Sequence, residues 1–135
     1  MIIPKDSKGE FIKDFNPMSG SYFNEGNSIQ YTWANPDLIK FMIARYGESY
    51  VYARLLSDID HAAKRDFVKK GGNTAAYYSM RYNHGNQVSQ IMPFAFHLIG
   101  KHNESSRYVG AILDKFYSLD FKSGIGHGSD DDQGQ

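Results

Sequence analysis

Three short stretches of this chain carry side chains that could do chemistry. The first is Tyr22-Phe23-Asn24-Glu25-Gly26-Asn27-Ser28-Ile29-Gln30-Tyr31-Thr32-Trp33, with one carboxylate among aromatic rings. A carboxyl against an apolar, partly dry wall has its neutral form favoured, as a general acid requires. Gly26 permits close backbone approach, and Trp33 could stack on a sugar ring. The second is His84-Gly85-Asn86-Gln87-Val88-Ser89-Gln90, where Asn86 and Gln87 offer neutral oxygens and amides to hydroxyls or to a hard cation. The third is the Gly- and Asp-rich end, Gly124 to Gln135, with Asp130, Asp131 and Asp132 in a row. In an extended stretch Asp130 and Asp132 point one way and Asp131 the other.

Each stretch has a plainer reading. Glu25 could accept hydrogen bonds from nearby amides. Asn86 could cap a helix. The three aspartates could be a solvated acidic tail. They are not an EF-hand, because the ligand ladder ending in Glu is absent. Taken together they offer a lone carboxylate, a possible carboxylate pair and neutral oxygen donors, parts of the kind that inverting glycoside hydrolysis uses. That reaction needs an acid on one side of the bond and a base activating water on the other, with carboxyls roughly 6.5–9.5 Å apart.

The elements that must position these residues read as helices. Asn35 can cap, Pro36 suits the first helical position and Asp37 the positive end of the dipole. Leu38, Phe41, Met42 and Arg45 follow at helical spacing, and Gly47 can end the helix. A second helix is predicted from Glu48 towards Lys64, with Val51, Leu55 and Ile59 on one face. Gly71-Gly72-Asn73 is a break. Val88 to Ile99 reads as a helix kinked at, or starting late at, Pro93 and closed by Gly100. A fourth helix is predicted near Ser105, with a stripe of Val109, Ile112, Leu113, Phe116 and Tyr117. Residues before Gln30 read as mostly irregular, with turn signals at Asn16-Pro17 and Ser19-Gly20-Ser21. No repeat and no clear strand pair stands out. The expected fold is all-α: helical hairpins joined by long functional loops.

The 135 residues suffice for one small domain with a modest core. Fifteen basic residues balance fifteen acidic ones, which argues against nucleic acid. With no cysteine, disulfides and thiolate metal sites are excluded. The first residues hold no long apolar run, so neither a signal peptide nor a membrane span is expected in them. Ten Tyr, nine Phe and one Trp make up 15% of the chain, which suits either a packed helical core or a carbohydrate cleft.

Glu25-Gly26-Asn27 followed by Gln30-Tyr31-Thr32-Trp33 resembles the Glu-Gly-Asn-x-x-Gln-Tyr-x-Trp signature of glycoside hydrolase family 92. Gly85-Asn86-Gln87-Val88-Ser89 is similar to the family's Gly-Asn-Glu-Pro-Ser stretch, and Gly124 to Gln135 resembles its Asp-x-Asp-x-Gly loop. The resemblance implies part of an (α/α)6 barrel catalytic domain over residues 1–135. It implies an inverting, calcium-dependent exo-α-mannosidase acting on mannose-containing glycans, with activity unexpected from this chain alone. It implies that Glu25 is the general acid and Asp132 the base, with Asp130 assisting or sharing that role. Trp33, Asn86 and Gln87 would bind substrate, and Asn86, Gln87 and Asp132 would hold Ca2+. Further partners would be the rest of the barrel and a β-sandwich domain, in a periplasmic or secreted parent. Members acting on α-1,2 linkages carry a His-Glu-Pro-like triplet where this chain has Asn86-Gln87-Val88, which leaves linkage open. The alternative reading is a non-catalytic helical module that binds a glycan or a protein.

Overall fold

A computed structural model describes residues 1–63, 80–84 and 86–117. The Gly71-Gly72-Asn73 break lies outside the described residues, as do Asp130, Asp131 and Asp132.

Helix formation begins earlier than the sequence signals suggest. The Asn27 side chain accepts from the backbone N–H groups of Ile29 (3.0 Å) and Gln30 (3.2 Å), and so caps α1, Ser28–Trp33. Six residues cannot hold a helix by propensity alone. Burial does it instead: Ser28, Ile29, Gln30, Thr32 and Trp33 are all buried. The stretch expected to be a loop leading into a helix is thus already helix at its second half.

α2, Pro36–Tyr46, starts as predicted. Asn35 accepts from the Leu38 N–H at 3.0 Å, Pro36 sits in the first turn, and Gly47 ends the helix at a φ of +86°. It turns Ile39 and Met42 inward and leaves Phe41 60% exposed. α3, Glu48–Ala63, follows at once and buries the expected stripe of Val51, Leu55 and Ile59.

The Pro93 segment divides. α4 is one turn, Gln87–Gln90, and a 3-10 helix runs from Met92 to Ile99. Proline lacks the N–H that would continue the α4 ladder, so the chain restarts around it. Gly100, at a φ of +65°, closes the 3-10 helix. α5, His102–Phe116, begins three residues before the predicted Ser105. Its buried stripe is Ser105, Tyr108 and Ile112, whereas Leu113 of the expected stripe is 51% exposed.

The 3-10 helix is the centre of the molecule and packs against α1, α2, α3 and α5. Its Phe96 is fully buried, stacks on Tyr108 (centroids 5.5 Å apart) and meets the edge of Tyr52. Among the described residues there is no strand, only an isolated bridge between Lys5 and Phe11. The fold is therefore all-α, built of helical pairs as part of an (α/α)6 barrel would be. Among the described residues no helix is long and apolar enough to cross a membrane.

One buried charge pins these helices. Asp58 of α3 is 1% exposed and accepts from Trp33 Nε1 at 3.0 Å, Arg54 Nε at 3.1 Å and Arg81 Nη1. A buried carboxylate is tolerated only with donors of this kind around it.

Candidate functional site

The Glu25 loop is held by its backbone. Glu25 adopts a φ of +50°, a left-handed conformation that costs a non-glycine residue energy. Four hydrogen bonds hold the loop around it. The Tyr31 hydroxyl donates to the Asn24 carbonyl at 2.6 Å, and the Asn86 side-chain amide donates to the Glu25 carbonyl. Asn27 Nδ2 and Gln30 Nε2 both donate to the Met80 carbonyl, at 2.6 Å and 2.8 Å. Gly26 is the contact point. A Cβ there would lie 2.9 Å from Gln30 Oε1, 3.0 Å from Tyr31 Cε2 and 3.1 Å from Val88 Cγ2. Only glycine lets this loop lie so close to α1 and α4.

The Glu25 residue itself is exposed. The expected apolar wall around it is thus not formed among the described residues. The rings gather beside the loop: Phe23 stacks on Tyr31 at 5.3 Å, and Phe15 packs against both Phe23 and Tyr22. Tyr22 is 50% exposed, so part of its ring is open to a ligand.

Trp33 does not serve as a sugar platform. It is 1% exposed, lies in the core and has its N–H on Asp58. A stacking ring needs an open face, and the burial of α1 removes it.

Asn86 is 8% exposed. It caps α4 by accepting from the Val88 N–H at 3.2 Å while its amide reaches Glu25. The first two stretches singled out in the sequence therefore meet directly. Gln87, next in the chain, is exposed and lines a groove of about 430 Å³. That volume falls in the range of small-ligand pockets, roughly 300–1,000 Å³. Polar groups of Tyr82, His84, Gln87, Gln90 and Tyr117 face an apolar side supplied by the 3-10 helix and α5. The Glu25 loop and this groove flank the same helical turn, α4. Val88 touches the loop, and Gln87 and Gln90 border the groove.

His84 joins the two sides of the groove. Its Nδ1 lies 2.7 Å from the Tyr82 hydroxyl and its Nε2 2.9 Å from the Tyr117 hydroxyl. Burial lowers the pKa of His84 and raises that of Tyr82, which favours the neutral form of both. His84 stands in the second of the three stretches, but its residue type and spacing there assign it no role. The only signal was its place three residues before Gln87. Tyr117 lies far along the chain and could not be paired with it without the fold.

Asn86 and Gln87 carry oxygens of the type a hard cation takes, and Gln87 is open to solvent. Among the described residues no group of three His, Cys, Asp or Glu side chains could hold a metal. The donor types of Asn86 and Gln87 are those calcium takes.

The sequence matches the profile of the glycosyl hydrolase family 92 catalytic domain over residues 1–135. No curated protein and no solved structure matches the chain. The profile match spans the whole chain, and the two described motif stretches meet around Gly26. The chain belongs to glycosyl hydrolase family 92 and is part of a glycoside hydrolase catalytic domain.

Proposed function

We propose that this domain belongs to an inverting exo-α-mannosidase that removes terminal mannose from glycans and depends on calcium. The observation that carries the proposal is the Glu25 loop. Its carbonyls and neighbouring amides are tied down, while the residue that bears the carboxyl is exposed at the edge of α4. A loop built this way presents an acid to a ligand instead of using it internally. Glu25 is the proposed general acid. Asp132 is the proposed base, with Asp130 assisting; both lie outside the described residues. Gln87 and the groove beside it are proposed to contact the sugar. Gln87 and Asp132 are the proposed calcium ligands, since the buried Asn86 side chain is engaged with Val88 and Glu25. When bound, the ion would hold mannose hydroxyls. The rest of the barrel and a β-sandwich domain are proposed partners, and turnover is expected only with them.

The test is hydrolysis of α-mannosides by a polypeptide that carries this domain with the remainder of its barrel. The first-formed sugar should be the β-anomer by NMR, and chelation should abolish turnover. Glu25→Gln should lower kcat by at least about 10²-fold. Turnover that survives both Glu25→Gln and chelation would sink the proposal. Glycan binding without hydrolysis by any such polypeptide would favour the non-catalytic module, a reading for which the aromatic-sided groove provides room.

A further inference from the structure

The motif resemblance assigned Asn86 to ligand, yet its side chain faces the protein. Its oxygen accepts the Val88 N–H, and its amide donates to the Glu25 carbonyl across 61 residues of sequence. It is buried, as is Gly26 beside its target. The residue it grips is one of the described non-glycine residues at positive φ. Strained backbone persists only where its surroundings over-determine it. The Tyr31 hydroxyl fixes the carbonyl before Glu25, but the Asn86 amide is the contact on Glu25 itself.

We propose that Asn86 is a positioning residue: it sets the backbone of Glu25, and through it the direction of the carboxyl. This rests on Glu25 being the acid. A helix cap needs only the Asn86 oxygen. The amide hydrogen bond is additional, and it is the part that ties the acid loop to α4 and so to the groove. An acid displaced by about 1 Å can cost roughly 10²-fold in rate, because proton transfer demands hydrogen-bond geometry at the leaving oxygen.

Asn86→Asp separates the two duties. A carboxylate caps as well as an amide does, so α4 is kept. It cannot donate, and it places a second acceptor against the Glu25 carbonyl. In the chain itself, amide exchange at Gly26 and Asn27 should quicken at least about fivefold at neutral pH, while Leu55 and Ile59 in α3 stay protected. In the protein that carries the rest of the barrel, kcat on an α-mannoside should fall roughly 10- to 100-fold with KM nearly unchanged. Unchanged exchange at Gly26 and Asn27 overturns the strut. Faster exchange with intact kcat overturns the catalytic consequence. A raised KM with intact kcat returns Asn86 to a ligand role. If the unsubstituted protein hydrolyses no α-mannoside, Glu25 is not the acid and the positioning role falls with it; the exchange result then still shows whether Asn86 holds the loop.

Discussion

Glu25 and Asp58 bear the same functional group in opposite settings. Asp58 is 1% exposed, and its carboxylate collects donors from α1, from its own helix and from Arg81. Glu25 is exposed, and the contacts around it fall on the main chain, at Asn24 and Glu25 carbonyls. In the first case the side chain is anchored and serves the fold. In the second the backbone is anchored and the side chain is left available. Which carboxylate can act on a ligand is decided by what is tied down, and composition alone does not distinguish them.

The largest expected effect separates the two directly. Asp58→Ala strands Arg81, Arg54 and the Trp33 N–H around a buried site, and should destabilise by about 3–5 kcal/mol. Glu25→Gln should change stability by less than about 0.5 kcal/mol, as exposed substitutions do. Urea unfolding monitored through Trp33 fluorescence measures both. Equal losses would erase the contrast.

Gly26→Ala comes next. The added methyl meets Gln30, Tyr31 and Val88 at 2.9–3.1 Å and should cost about 1–3 kcal/mol by overpacking. A neutral result by the same unfolding assay would show that the loop does not lie against α4. Glu25→Gly runs the other way. Relief of the left-handed strain should raise stability by about 0.5–1 kcal/mol while removing the proposed acid. A gain in thermal midpoint alongside loss of activity would mark a residue kept for function at a cost in stability.

The smallest effect concerns His84. Burial lowers its pKa below the ordinary 6.5, so the unfolded chain binds the proton first. Its contribution to stability is complete above about pH 6.5 and declines as pH falls towards the lowered folded value. His84→Gln should flatten that part of the stability profile. A slope of opposite sign would place a carboxylate against the ring.

Helix starts and stops were legible because they depend on local chemistry. Asn35-Pro36-Asp37, Gly47 and Gly100 each act within one turn of the backbone, and each acts as read. The α3 stripe was legible because period and apolar type coincide at Val51, Leu55 and Ile59. α1 was missed because six residues carry little periodicity, and its stability comes from burial. The α5 stripe was misjudged because Leu113 is more apolar than Ser105, yet it is Ser105 that faces the core. Trp33 was misjudged for a related reason. An aromatic in a ligand-rich motif can serve sugar or core, and only Asp58, 25 residues away, shows which.

By itself the sequence determined the family, the helical class, the caps and the identity of the candidate acid. These follow from residue types acting on neighbours a few positions away, or from ordered motifs along the chain. Tertiary structure alone decided that Asn86 faces Glu25, that His84 meets Tyr117, and that Trp33 is closed off. Those outcomes join residues tens of positions apart. Their energies depend on burial and donor geometry, which exist only once the helices have packed.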